Sequence, residues 1–168
     1  MGTYWGREAY LKAKTLVGKP YVYGGNYPPL GDSEGTDCSG LLQWGYHEVG
    51  IELLRTTQQQ CHQYSAVGLY YNGDALFFAG AGGPPPDHVG LFAGYGVLGA
   101  SQHSWVGSGD PKSGKLIILN APYTGDPGGI RFDYAEPLGA VLFHTRPGNA
   151  RSDPKLIKRL VNEARSRF

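Results

Sequence analysis

Gly35-Thr36-Asp37-Cys38-Ser39-Gly40-Leu41-Leu42, residues 35–42, runs from a glycine-punctuated turn into an apolar segment and carries one of the two cysteines. Thr36-Asp37 supplies an N-cap, a side-chain oxygen that accepts from a backbone N–H of the first helical turn. A helix is therefore expected from Cys38 to about Val49, ended by Gly50. Leu41, Leu42 and Val49 are available for burial, and Gly45 would let a neighbour approach closely. The thiol then lies at a helix N-terminus, where the partial positive charge of unpaired N–H groups favours an anion. A free cysteine with a pKa of ~8.5 offers only a few per cent thiolate at neutral pH, so such a position matters for thiol chemistry. Gly35 and Gly40 would keep the surroundings open to a substrate backbone, and the Cys38 N–H is placed to donate to an oxyanion. The alternative, a small buried hydrophobe, leaves the polar turn unexplained. Cys61, inside the helical stretch Gln58–Gln63, reads as packing, and both thiols are expected to be free.

Outward from this helix the periodicity changes. Residues 5–17 space Trp5, Ala9, Ala13, Leu16 and Val17 as a first helix ended by Gly18. Pro20–Gly25 is a short extended piece, residues 26–36 form a loop, and a third short helix covers Thr57 to Tyr64. Strands are expected at Ala75–Ala79, His88–Ala93, Val97–Gln102, Leu116–Asn120, Ile130–Asp133 and Ala140–His144, between Gly, Pro or Asp turns. Helices first and strands afterwards give an α+β fold, with helices packed on a mostly antiparallel sheet of five to six strands. Residues 1–149 form one domain. Residues 150–168 are a basic amphipathic helix capped by Asp153, or the start of a linker.

Composition bounds the function. Net charge is +1, so no whole-molecule field draws the protein to nucleic acid. Residues 151–168 hold six basic and two acidic side chains, a net of +4, which leaves −3 for the rest. That tail suits contact with an anionic polymer, although a solvated helix face explains it as well. No apolar run approaches the ~18 residues of a membrane span. The N-terminus lacks the basic-then-apolar plan of a secretory signal. The few scattered Cys and His residues supply no zinc set, so no metal or cofactor is expected.

A base for Cys38 must come from His47, His62, His88, His103 or His144. His47 and His62 sit among polar neighbours in helical segments, and His144 ends a strand without distinguishing context. His88 differs: Gly83-Pro84-Pro85-Pro86-Asp87 leads into it and the apolar Val89–Gly94 follows. An imidazole at a strand start reaches the mouth of a cleft while its backbone is held.

Five stretches in order (Pro20–Gly25, Thr36–Leu41, Leu54–Gln58, Asn72–Phe78 and His88–Gly94) resemble the successive motifs of the NlpC-type cell-wall peptidases, over about residues 10–102. The resemblance implies a papain-like fold and hydrolysis of peptidoglycan stem peptides, possibly next to γ-D-glutamate. It makes Cys38 the nucleophile and His88 the general base, and matches Tyr21 to a tyrosine near the nucleophile that assists the oxyanion hole. Asp37 and Ser39 flank the nucleophile as candidate substrate contacts, with helix capping an equal account of Asp37 and core packing of Tyr21. At the third position, where the family carries a polar residue that orients the imidazole, the sequence has Gly99. If Tyr95-Gly96 makes a two-residue hairpin loop, His103 falls opposite His88 on the same face and Gln102 opposite Val89. His103 is the expected orienter and Gln102 the alternative, since a one-residue slip exchanges them.

The implied protein is a monomer or a domain of a larger chain that acts at the bacterial cell wall, released from the cytoplasm by phage lysis or on a virion, or excised from a secreted protein. Alternatives left open are an N-acetylmuramoyl-L-alanine amidase, an acyl-transfer enzyme, and a catalytically idle wall-binding module on the same fold.

Overall fold

The computed structural model describes residues 2–66, 68–79, 82–122 and 129–148. The segment expected to form the terminal helix, 150–168, lies outside them. Three helices come first, α1 (Gly2–Lys14), α2 (Cys38–His47) and α3 (Thr57–Gln60), followed by β1 (Ala75–Phe78), β2 (His88–Leu98), β3 (Trp105–Ser108), β4 (Lys115–Asn120), β5 (Arg131–Tyr134) and β6 (Val141–Thr145). The sheet runs β5-β4-β2-β1-β6, with β3 paired to the far end of β2, and every pairing is antiparallel. The expected α+β architecture is the one observed.

Strand alternation sorts the sheet's side chains to two faces. Ala75, Phe77, Val89, Leu91, Ile117, Leu119 and Phe132 pack with Ala9, Tyr10 and Ala13 of α1 and with Leu41, Leu42 and Tyr46 of α2. Leu76, Phe78, Phe92 and Ile118 turn the other way, under Tyr70, Tyr95, Leu116 and Leu138. The two long helices cross where the sequence carries Gly45: a Cβ there would lie 3.0 Å from the Ala9 carbonyl oxygen and 3.2 Å from Ala13 Cβ. At the other end of the sheet, Asp74 before β1 receives two hydrogen bonds of 2.9 Å from Arg146, just past β6, and both side chains are buried. The pair ties neighbouring strands at their ends.

The structure corrects the sequence in one consequential place. Tyr95-Gly96 is not a hairpin loop: β2 runs on to Leu98, and its partner β3 begins at Trp105, with Leu98 opposite Trp105 and Gly96 opposite Gly107. The turn falls at Gly99–Ser104, closed by the Gly99 N–H donating to the Ser104 carbonyl over 2.8 Å. Gly96, read as a turn residue, sits inside the strand because the β3 backbone crowds it; a Cβ there would clash with the Val106 carbonyl and lie 2.9 Å from Gly107 Cα. Val97–Gln102 is therefore not a separate strand, and Gln102 takes the left-handed φ of 60°. The third helix is also shorter than expected, a single capped turn in which Thr56 and Gln59 form a capping box.

Gly45→Val forces a branched side chain into the α1–α2 crossing and is expected to cost about 1–3 kcal/mol of unfolding free energy. Urea denaturation measures it; an unchanged midpoint would mean that the helices do not meet at this glycine.

Candidate active site

Cys38 is the first residue of α2, and Asp37 is its N-cap. Asp37 Oδ1 accepts from the Gly40 N–H at 2.9 Å, and Oδ2 accepts from the Gly24 N–H at 3.0 Å. Such a cap stabilises a helix start by about 1 kcal/mol. Arg55, from the loop before α3, pairs with Asp37 at 2.9 Å and donates to Ser39 Oγ at 2.9 Å and to the Gly25 carbonyl at 3.1 Å. Asp37 and Ser39, the two flanking candidates for substrate contact, are thus spent on fixing the helix tip and the 24–25 turn. Gly35 and Gly40 do not open the site. A Cβ on Gly40 would meet Asp37 Oδ1 and the Gly25 carbonyl at 2.9 Å, so these glycines let chain segments pack against each other.

Two further elements close on the thiol. Thr57, in the first turn of α3, brings its hydroxyl to 3.6 Å from Cys38 Sγ. His88, the first residue of β2, faces the Cys38 side chain, close enough to be the main influence lowering the thiol pKa. Its Nε2 lies 2.8 Å from Asn120 Oδ1, which leaves Nδ1 for the sulfur. Asn120 ends β4, beside β2, with Leu119 paired to Leu91. Between His88 and Asn120 lies Gly90, where a Cβ would come within 3.2 Å of Asn120 Cβ; the missing side chain makes room for the contact.

Burial raises the thiol pKa, but the hydrogen bond and charge of His88, with a smaller contribution from Thr57, outweigh it, so Cys38 titrates below its ordinary value. The Asp37 carboxylate opposes this. For His88, burial lowers the pKa, and the hydrogen bond and charge of Cys38 together with Asn120 and Asp87 raise it above its ordinary value. The two shifts run in opposite directions, and each side chain is a main cause of the other's.

The loop that delivers His88 is pinned as well. Gln58 of α3 donates to the carbonyls of Pro84, at 3.3 Å, and Pro86, at 2.8 Å. Gln60 donates to the Ser39 and Leu54 carbonyls at 2.9 Å each. The short α3 is thus the brace between the thiol-bearing helix and the imidazole-bearing strand.

Neither sequence candidate for the orienter reaches the imidazole. His103 lies in the Gly99–Ser104 turn, exposed, with its ring towards Gly18. Gln102 donates to the Phe132 carbonyl at 3.2 Å and to Asp133 Oδ1 at 2.8 Å. The position is filled by Asn120, which the sequence reading missed because the β2–β3 hairpin inserts between adjacent strands. Tyr21 is half-buried against the main core, and its backbone bridges Thr36, two residues before the thiol. Cys61 is fully buried, its Sγ donating to the Gln58 carbonyl at 3.1 Å, and neither cysteine is in a disulfide. His47 pairs with Glu52 on the surface, whereas His144 is packed edge-on to Tyr70 and 3.8 Å from Asp74. Among the described residues no cluster of three His, Cys, Asp or Glu side chains forms a metal set, and no helix is long and apolar enough to cross a membrane.

Residues 18–125 match the NlpC/P60 family. The bifunctional muramidase/DL-endopeptidase CwlT of Bacillus subtilis is 38% identical over 111 residues, which are 64% of this chain and 32% of that protein. The murein DD-endopeptidase MepH of Escherichia coli is 38% identical over 95 residues, 54% of this chain and 34% of that one. The chain spans about a third of the length of these curated relatives. The P60 domain of antigen MAP1204 from Mycobacterium avium subspecies paratuberculosis superposes with a TM-score of 0.60 at 22% identity, covering 86% of this chain and 96% of that one. That likeness is one of fold, and it is the papain-like α+β fold expected from the sequence.

With the Cys38 thiol held below its ordinary pKa by His88, iodoacetamide near pH 6 is expected to label one thiol, in wild type and in Cys61→Ala but not in Cys38→Ala. His88→Ala should shift the pH midpoint of labelling upwards, because burial then acts unopposed by the imidazole. A midpoint that does not move would separate the two side chains chemically.

Proposed function

This chain belongs to the NlpC/P60 family, and from that premise we propose that it is a cysteine peptidase that cuts stem-peptide bonds of bacterial peptidoglycan next to γ-D-glutamate. Cys38 is the nucleophile, His88 the general base and Asn120 the residue that orients the imidazole. The observation that carries this reading is the set itself. A thiol at a helix tip has its pKa lowered by an imidazole at a strand start, and Nε2 of that imidazole lies 2.8 Å from an amide oxygen. The two relatives bear endopeptidase names, DL for one and DD for the other. Both concern peptide bonds, which favours a peptidase over an amidase or an idle module.

The chemistry follows from the geometry. His88 Nδ1 takes the thiol proton, and the Cys38 sulfur attacks the scissile carbonyl carbon, whose π electrons move to oxygen. The first-turn N–H groups of α2 have no intrahelical partners. Gly40's is taken by Asp37; of those that remain, the Cys38 N–H, on the nucleophile itself, is the donor we assign to the oxyanion. Tyr21, anchored beside Thr36, is the candidate for a second donor. The imidazolium then protonates the leaving amine as the C–N bond breaks. Water, deprotonated by His88, hydrolyses the thioester and restores the thiol. Asn120 keeps the proton on Nε2, so that Nδ1 is the nitrogen that exchanges protons with sulfur.

Mass spectrometry of purified peptidoglycan after digestion tests the assignment. New amino termini within the stem peptide are expected, and release of the intact stem from muramic acid would replace the peptidase by an amidase. Cys38→Ala and His88→Ala should abolish cleavage. Asn120→Ala should lower the rate by about 10–100-fold with the fold intact, the usual cost of losing a partner that orients a functional imidazole.

A further inference from the structure

Behind Asn120 the polar contacts continue through a residue that neither the sequence motifs nor the proposed mechanism uses. Asn120 Nδ2 donates to Asp133 Oδ2 at 2.9 Å and to the Arg131 carbonyl at 3.2 Å. Asp133 is held in turn by Gln102 Nε2 at 2.8 Å on Oδ1 and by Arg131 Nε at 3.2 and 3.0 Å on its two oxygens. Asp133 sits on β5, paired with Ile118 of β4, so the strand ladder delivers its carboxylate beside the Asn120 amide.

We propose that Asp133 is a positioning residue for the Cys38–His88 pair: its carboxylate fixes which end of the Asn120 amide faces His88, and so fixes which imidazole nitrogen carries the proton. The inference rests on the functional reading given above, since it takes the pair to be the reacting one. An amide can face His88 with oxygen or with NH2, and the two choices have opposite consequences. With oxygen towards Nε2, that nitrogen must carry a proton, and Nδ1 is left to exchange with sulfur. With NH2 towards Nε2, that nitrogen must be bare, the proton moves to Nδ1, and imidazolium is disfavoured. A carboxylate only accepts, so it holds the NH2 end of Asn120 on its own side; the Arg131 carbonyl does the same more weakly, because hydrogen bonds to a charged acceptor are about twice as strong as neutral ones. Gln102 and Arg131 keep the carboxylate in place. The choice between His103 and Gln102 as orienter is thereby recast: Gln102 acts on the imidazole at two removes, through Asp133 and Asn120.

Asp133→Asn makes the role testable. An amide at 133 sets an N–H against a donor whichever way it turns, Gln102 on one side or Asn120 on the other, and turning Asn120 over relieves the conflict. The groups facing the pair from the packed elements are Asp37 of the α2 cap, Thr57 of α3, Asp87 before β2, Asn120 of β4 and Arg131 of β5, and none of the others is altered. The rate of Cys38 alkylation by iodoacetamide at pH 6, measured in a Cys61→Ala background, is expected to fall about tenfold, a typical cost for an outer partner of a functional imidazole. ¹⁵N spectra of histidine-labelled protein should show the His88 proton leaving Nε2. The exchange variant Asn120→Asp/Asp133→Asn restores the order: a carboxylate at 120 accepts from His88, and the amide at 133 donates to it while accepting from Gln102. It should recover most of the alkylation rate. This exchange also serves if Asp133→Asn alone does not fold, because it keeps the contact between the two positions. Alkylation and ¹⁵N signals that are unchanged in folded Asp133→Asn would overturn the proposal, as would an exchange variant no faster than the single substitution. No wall digestion enters this readout, so a failure of the cleavage assay leaves it unaffected.

Discussion

Burial opposes a charge on Cys38 and a charge on His88, yet each lowers the cost of charging the other enough to shift the thiol pKa down and the imidazole pKa up. That balance survives only at hydrogen-bond distance. Fifty residues separate the two side chains, so much of the structure can be understood as the means of keeping α2 and the start of β2 in fixed relation. The two long helices close over the sheet at Gly45, and α2 packs its Leu41, Leu42 and Tyr46 into the face that β2 shares. The short α3 adds a polar brace: Gln60 reaches the α2 backbone at Ser39, and Gln58 reaches the proline loop that leads into His88. A single helical turn with a capping box suffices for this, because its work is done by two glutamine side chains on successive faces of one turn.

Much of this was legible before any coordinates. The helix start at Cys38 followed from Asp37 and the glycine-bounded turn, and β1, β4, β5 and β6 fall within a residue or two of the apolar runs that marked them. What the sequence could not supply was strand adjacency. Asn120 follows His88 by 32 positions, and the intervening residues hold a complete hairpin. Tyr95-Gly96 has the composition of a hairpin turn. Its glycine is required for a different reason: the β3 backbone crowds the strand at that point, and the chain reverses only at Gly99–Ser104. An orienter sought one hairpin after His88 therefore fell on His103, which the true turn carries away to Gly18. The signal that would have found Asn120 is a polar residue ending an otherwise apolar strand, Leu116–Asn120.

The residues that flank the thiol have structural work of their own. Asp37, Ser39, Gly35 and Gly40 looked like substrate-facing groups because they are small or polar and flank the thiol. In the structure Asp37 accepts from the Gly24 and Gly40 N–H groups, Ser39 bonds Arg55, and the glycines admit neighbouring segments. Arg55 explains the pattern, for one guanidinium holds Asp37, Ser39 and Gly25 at once. Planar, forked donors suit such multidentate holding, and Arg55 lies in Leu54–Gln58, one of the five stretches that resemble the family's motifs. Thr57, two residues on, touches the sulfur itself.

Of the carboxylates near the reacting pair, two are each matched by an arginine. Asp37 pairs with Arg55 on the thiol side, and Asp133 with Arg131 on the imidazole side. The pairing has an electrostatic logic. Asp37 is needed as a helix cap, yet its charge works against the thiolate, and a guanidinium at 2.9 Å offsets that charge without giving up the cap. Asp133 meets the imidazole only through the neutral Asn120 amide, so it directs a proton without lying against the ring. Polar order thus reaches the site through Asp37 and Asp133 while a guanidinium offsets each of those two charges, which suits a buried thiolate.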